Sequence, residues 1–329
     1  MRTLLIALLA LCLPLPSPAA PPKALLISVK KIWDQAPHSA FTDLVYWNGQ
    51  FVCAFREGRS HVSTDGQIRV LTSPDGENWA SAAVLTLPGY DLRDAGLSIA
   101  PGNRLMLNGG AAPRKKDHES APTGTFVAFS DDAKNWSTPE IVLDPPNWLW
   151  RANWHDGKCY GVSYAGNNPS RLMVSDDGLK FAELAPKLLF ASEARPTEAT
   201  LRFAKDGTLY CLHRRDNGLP SAFFGASQPP YTDWKWQDLK VFLGGPNVME
   251  LPSGQWVAAG RIFNDPKTPK TKLASLDVDK KTIEPILELP SGGDCSYPGL
   301  AWHDGHLWMS YYSSHEGKGN IYLAKIAIE

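Results

Sequence analysis

Three arginines stand at one register of a repeated pattern: Arg56, Arg214 and Arg261 each lie seven residues past a glycine that closes a short turn. The other three positions of that register are Gly109, Tyr164 and Tyr312. Planar guanidinium groups brought together from separate elements suit bidentate capture of one carboxylate, a task the compact charge of Lys performs less well. The competing use is structural, with each arginine paired to an acid at its own strand edge; the shared register favours the first. The opposite ends of the same pattern also carry polar groups, Glu198 in RPTEATLRF and Tyr297 in CSYPGLAW.

The elements that position these residues recur. DLVYWNGQFVCAF, AGLSIAPGNRLML, ANWHDGKCYGVSY, ATLRFAKDGTLYCL, VMELPSGQWVAAG and GLAWHDGHLWMSYY all read as apolar alternation, a Gly-containing turn, and more apolar alternation. Each predicts a β-hairpin. The turn glycines Gly49, Gly102, Gly157, Gly207, Gly254 and Gly305 are spaced by 53, 55, 50, 47 and 51 residues. That period suits four-stranded propeller blades, whose inner strands converge on a common mouth. Between hairpins, SPDGENW, SDDAKNW and SDDGLKF share the form S-x-D-x-x-x-aromatic, with a decayed fourth copy over Ser227 to Trp234. Asp and Ser there satisfy local backbone N–H groups while the ring fills space between sheets, so Asp75, Asp132 and Asp177 are turn residues with no catalytic role.

Together these features resemble the sialidase (neuraminidase) superfamily with its Asp-box (BNR) repeats, over essentially the whole chain after the leader. The resemblance implies an all-β fold, a six-bladed β-propeller of four-stranded antiparallel blades. It also implies a catalytic Glu at Glu198, a carboxylate-binding arginine at Arg214 and a nucleophilic Tyr at Tyr297. The physical logic is that a sugar bearing a carboxylate at its anomeric carbon repels an anionic nucleophile, so a neutral phenol relayed by a base serves better. Otherwise a Tyr on a strand is packing. In AFREGRSHVSTDGQIRVLTSPDGENW the resemblance places the general acid at Asp65, although Asp65-Gly66 reads equally as a turn. If it is a turn, Asp94 (beside Arg93) and His61 stand in its place. One departure is that HSAFTDL holds no arginine where the family has Arg-Ile-Pro; Arg56, on the partner strand of that hairpin, is the expected replacement.

Composition narrows the alternatives. In 329 residues, 33 basic and 34 acidic side chains give a formal charge of −1, without the basic excess of a nucleic-acid binder. Arg2 followed by the apolar run Leu4 to Leu15 and small residues at Ser17, Ala19 and Ala20 reads as a cleaved signal peptide over residues 1–20. A single propeller domain over 21–329, secreted or periplasmic, without membrane insertion and monomeric, is expected to follow. Removing Arg2 leaves 32 basic against 34 acidic groups, a net charge of −2. Cys53, Cys159, Cys211 and Cys295 match no zinc spacing and are expected to be buried free thiols, Cys53 and Cys211 lying too far apart to bridge. No His pairing requires a metal, His155 and His303 both falling in WHDG turns, and no cofactor is implied. Trp148, Trp150, Trp154 and Trp236 are packing residues by default, with sugar stacking as the alternative.

The expected activity is retaining exo-hydrolysis of a terminal α-linked sialic acid, or a related 2-keto acid sugar, from acidic glycans. In that scheme Arg56, Arg214 and Arg261 hold the carboxylate, Tyr297 attacks, Glu198 takes the phenolic proton and Asp65 serves the leaving group. The competing functions are a propeller hydrolase or lyase acting on uronic acid polysaccharide, and a non-catalytic carbohydrate-binding propeller.

Overall fold

The computed structural model describes residues 21–114, 122–166, 168–189, 195–216, 222–263 and 268–329; the expected leader lies outside them. Apart from a single 3-10 turn at Pro101–Asn103, its regular elements are all strands. Strand β1 (Ala24–Trp33) is followed by six groups. These are β2 (His38–Trp47), β3 (Gln50–Gly58), β4 (Gln67–Ser73) and β5 (Ala80–Leu85); then β6 (Tyr90–Ala100), β7 (Arg104–Pro113), β8 (Gly124–Ser130) and β9 (Glu140–Leu143). Next come β10 (Trp148–His155), β11 (Lys158–Tyr164), β12 (Ser170–Ser175) and β13 (Ala182–Leu189), and after them β14 (Pro196–Phe203), β15 (Leu209–Arg215), β16 (Phe223–Ser227) and β17 (Lys235–Asp238). The last are β18 (Phe242–Glu250), β19 (Trp256–Phe263), β20 (Thr271–Asp277) and β21 (Thr282–Glu288), then β22 (Cys295–His303), β23 (His306–Ser313) and β24 (Asn320–Ile328).

Six four-stranded antiparallel sheets result, and the sixth, in the order β1-β24-β23-β22, takes its outer strand from the beginning of the chain. That pairing closes the ring. The first strands of successive blades (β2, β6, β10, β14, β18 and β22) contact one another around it. The chain is therefore a six-bladed β-propeller, as the repeat predicted.

The hairpins form because their turn chemistry matches the strand twist. Asn48-Gly49, Asp156-Gly157 and Asp304-Gly305 have positive φ at both residues, the signature of a two-residue type I′ turn. The S-x-D turns fold as backbone caps. Asp75 Oδ1 accepts the N–H groups of Glu77 and Asn78 at 2.8 Å each, and Asp132 and Asp177 repeat the arrangement. Trp79 and Trp136 each donate Nε1–H to a carbonyl three residues back. Cys53, Cys159, Cys211 and Cys295 are buried and unbridged.

One irregularity recurs in every blade. Each first strand sets two residues against one of its partner, between Ala40 and Asp43, Arg93 and Gly96, Trp150 and Asn153, Pro196 and Ala199, Gly244 and Asn247, and Ser296 and Gly299. In five of the six, a bulge residue has left-handed φ: Phe41 (62°), Asp94 (48°), Arg151 (42°), Gly245 (59°) and Tyr297 (52°). Four of these carry a Cβ, which makes the conformation costly unless the surroundings impose it, and such outliers gather at functional positions. A β-bulge re-aims a side chain out of the regular alternation. Here the bulges of four blades bring Phe41, Asp94, Glu198 and Tyr297 to one cavity. Arg151 uses that freedom to stitch the ring: it pairs with Asp43 at 2.6 Å and donates to the carbonyls of Thr42 and Pro298.

Candidate functional site

A cavity of about 430 Å³ opens where the bulges converge, walled by residues from all six blades. Its centre is a chain of buried polar groups. The Tyr297 hydroxyl donates to Glu198 Oε1, Arg214 Nη1 donates to the same oxygen at 2.7 Å, and the Gly245 N–H donates to Oε2 at 2.7 Å. Arg214 Nε donates in turn to Asp216 at 2.8 Å. Gly245 has to be glycine: its φ is +59°, and a Cβ there would lie 2.7 Å from the Tyr297 ring.

The electrostatics divide the pair. Burial alone would raise the Glu198 carboxyl, but Arg214 and the hydrogen bonds from Tyr297, Arg214 and Gly245 outweigh it and hold the group below the usual carboxylate range. Burial, with Glu198 and Asp94 nearby, lifts the Tyr297 phenol well above its ordinary value. The resting state is thus a neutral phenol hydrogen bonded to a carboxylate.

The rest of the wall is mixed in charge. Arg93, Arg195, Arg214 and Arg261 face Asp94, Glu198 and Asp216, four cations against three carboxylates. The surplus grows when Asp94 is protonated, and burial and the nearby Glu198 push its carboxyl up to about 6. Arg214 and Arg261 both lie over the Phe242 ring, at 5.2 and 5.7 Å, so one aromatic ring holds both guanidinium groups. Phe41 packs on the Tyr297 ring at 4.8 Å, and Trp148 stacks on Tyr164 at the rim.

The seven-residue register brings Tyr164, Arg214, Arg261 and Tyr312 to the cavity, but not Arg56. Arg56 is fully buried: Nε donates to Asp91 at 3.0 Å and the other nitrogens to Ser60 and Ser63. It anchors the 59–66 loop and has no nitrogen to offer a ligand. Asp65 also lies outside the cavity wall. It accepts the backbone N–H and Nε of Arg59, and its carboxyl is held below the ordinary value, because bonds from Ser63 and Arg59 outweigh partial burial. A carboxyl so placed stays ionised and has no proton to give. Nor is Asp65-Gly66 a two-residue hairpin turn, since residues 59–66 separate β3 from β4. Gly66 is required by close approach, a Cβ there falling 1.7 Å from Asp91 Oδ1. Both substitutes, Asp94 and His61, do line the cavity, as does Arg93. Trp148 reaches the rim, Trp150 donates to Asp94 at 3.4 Å, and Trp154 and Trp236 pack between sheets.

Gly245, Asp216 and Asp294 hold residues of this cavity by hydrogen bonds that residue type alone did not reveal. A signal for the bulges exists: Phe41, Asp94 and Tyr297 each lie eight residues before their turn glycine. Asp294 accepts His61 Nδ1–H at 2.6 Å, His38 Nε2–H at 3.2 Å and the Tyr312 hydroxyl at 2.7 Å. His38, His61 and Asp294 are the one group among the described residues whose metal-type donors gather within 4.8 Å. The 2.6 Å pair is closer than the about 3.3 Å between ligands bound tetrahedrally at about 2.0 Å. Protons account for these contacts.

The raised Asp94 carboxyl carries a stability prediction. Its folded value, about 6, exceeds the unfolded value, so the folded state gains from binding that proton below about 4 and loses the advantage as pH rises to about 6. Asp94→Asn is expected to raise the melting temperature at pH 8, relieving roughly 2–3 kcal/mol, and to leave it unchanged at pH 4. Thermal unfolding at the two pH values measures this; an equal shift at both contradicts it.

No protein-family model matches the sequence, and no curated protein matches it significantly. Solved structures do resemble it. A Dyadobacter fermentans protein of unknown function superposes with TM-score 0.79 at 19% identity over 93% of this chain and 100% of that one. A Penicillium chrysogenum α-L-arabinanase complexed with arabinobiose gives 0.69 at 14% identity, covering 92% and 98%. A Trypanosoma rangeli sialidase in complex with 2,3-difluorosialic acid, a covalent intermediate, gives 0.68 at 12% identity over 88% of this chain, which spans about half of that protein (54%). At such identities the likeness establishes the fold.

Proposed function

We propose that the chain is an exported, retaining glycoside hydrolase that removes a terminal acidic sugar, a sialic acid or a related 2-keto acid sugar, from glycans. The observation that carries this reading is the buried Tyr297–Glu198–Arg214 relay at the cavity centre. A neutral phenol with a carboxylate on its hydroxyl avoids the repulsion that a carboxylate nucleophile would meet at an anomeric carbon bearing its own carboxylate. The cationic surplus of the wall and the guanidinium groups of Arg214 and Arg261 within it suit that anionic group. Substrate binding also arms the base: an anion on Arg214 shares the charge that depresses Glu198, so the carboxylate becomes more basic when the phenol must release its proton. Likeness to sialidase propellers agrees with the reading at the level of fold.

The test is turnover of an activated aryl sialoside by the wild type and by Tyr297→Phe. Activity in the wild type that is lost in the variant supports the reading. An unsaturated product from uronate polymers would instead assign elimination, and sialoside binding without turnover would assign a lectin. The grip has its own prediction. Arg261→Lys keeps the charge but loses the planar fork, and is expected to raise KM by about 10- to 100-fold with a smaller change in kcat. Steady-state kinetics decide; an unchanged KM removes Arg261 from the substrate.

A further inference from the structure

The relay supplies a nucleophile and its base but leaves the departing oxygen without a proton. Asp65 does not line the cavity and is bonded to Arg59. Asp94 is buried with Trp150 on one of its oxygens. His61 differs from both: its side chain is half exposed, it lines the cavity, and its ring meets the Phe41 ring edge-on at 5.0 Å. Phe41 also contacts Tyr297 at 4.8 Å, so His61 and Tyr297 touch one ring, and all three line the cavity.

His61 is also oriented. Asp294 is ionised and can only accept, so the 2.6 Å contact requires the proton on Nδ1 and leaves Nε2 as the working nitrogen. Asp294 is itself fixed by His38 and Tyr312 on its side chain and by Ser314 on its backbone N–H. Arg93 donates to the His61 carbonyl at 2.7 Å and pins the loop from the other side. A half-exposed imidazole held by a partly buried carboxylate that two further side chains fix is the arrangement of a proton-transfer dyad.

We propose that His61, with Asp294 as its positioning residue, is the general acid and base of this site. The proposal rests on the reading of Tyr297 and Glu198 given above. In the first step the His61 imidazolium gives its Nε2 proton to the glycosidic oxygen as the C–O bond breaks; Tyr297 Oη bonds the anomeric carbon and passes its proton to Glu198. In the second, neutral Nε2 takes a proton from water as the water oxygen bonds that carbon, the bond to Tyr297 breaks, and Glu198 returns its proton to the phenolate. Protons and charges balance over the cycle.

The test compares His61→Asn, Asp294→Asn and Asp94→Asn on substrates of graded leaving-group acidity, from an alkyl sialoside to a nitrophenyl sialoside. Loss of a general acid matters most where the leaving group is poor. His61→Asn is therefore expected to lose about 10²- to 10⁴-fold on the alkyl substrate and under about 10-fold on the nitrophenyl one in the glycosylation step. Asp294→Asn should show the same slope with smaller losses, and Asp94→Asn no slope. A loss by His61→Asn that is uniform across leaving groups overturns the proposal, as does a slope confined to Asp94→Asn or activity that a chelator removes and a divalent cation restores. Should no sialoside be turned over, the substrate reading fails separately. Imidazole nitrogen NMR then still judges the dyad: a proton on Nδ1 of His61, lost from that position in Asp294→Asn, supports it, and a proton on Nε2 alone at neutral pH overturns it.

Discussion

Replacing Tyr297 by Phe is expected to lower turnover of an activated aryl sialoside by on the order of 10³-fold or more while leaving the fold intact. The two halves of the expectation have different origins. Turnover falls because the hydroxyl is the only atom removed, and in the proposed mechanism it is the atom that bonds the substrate. Stability is preserved because Glu198 keeps Arg214 and Gly245 as partners once the phenol is gone, and because the ring still packs against Phe41, Trp150 and Tyr312. A melting temperature within a few degrees of wild type, with turnover near background, is the predicted pairing. Turnover within about tenfold of wild type would make Tyr297 a packing residue.

The second large effect is the reverse. Arg56→Ala is expected to cost stability rather than affinity, about 3 kcal/mol or more, because it strips the buried Asp91 of its fully buried partner, leaving it Arg93 at 3.3 Å, and frees the carbonyls of Ser60 and Ser63. For a chain of this length that is a fall in melting temperature of roughly 5–10 °C. Below the transition, KM should stay within about threefold of wild type, because Arg56 does not line the cavity. An unchanged melting temperature with a raised KM would return Arg56 to the substrate. Arg93 lines the cavity instead, one blade further on; with Arg214 and Arg261 it brings three arginines from three blades to the wall.

Arg56 shows how far sequence reasoning reaches in a repeat protein. The spacing of six turn glycines sets the blade number, and the type I′ turns and S-x-D caps follow from local chemistry that any short window displays. The seven-residue register located Arg214 and Arg261 for the same reason, since equivalent strand positions meet around an axis. It misplaced Arg56 because register fixes where a side chain begins, not which acid claims it. That acid, Asp91, belongs to the next blade, 35 residues away. Asp294 was hidden likewise: its partners His38, His61 and Tyr312 come from three separate segments. The bulges are intermediate. They re-aim Asp94 and Tyr297 against the strand alternation, yet recur at a fixed distance before the turn in three blades.

The central claim is that Tyr297 forms a bond to the sugar. Incubation with 2,3-difluorosialic acid, followed by proteolysis and mass spectrometry, measures it directly. The account predicts one fluorosialosyl adduct on the peptide containing Tyr297, absent from Tyr297→Phe. An adduct on Glu198, or turnover of the aryl sialoside with no adduct and an inverted product, would contradict it.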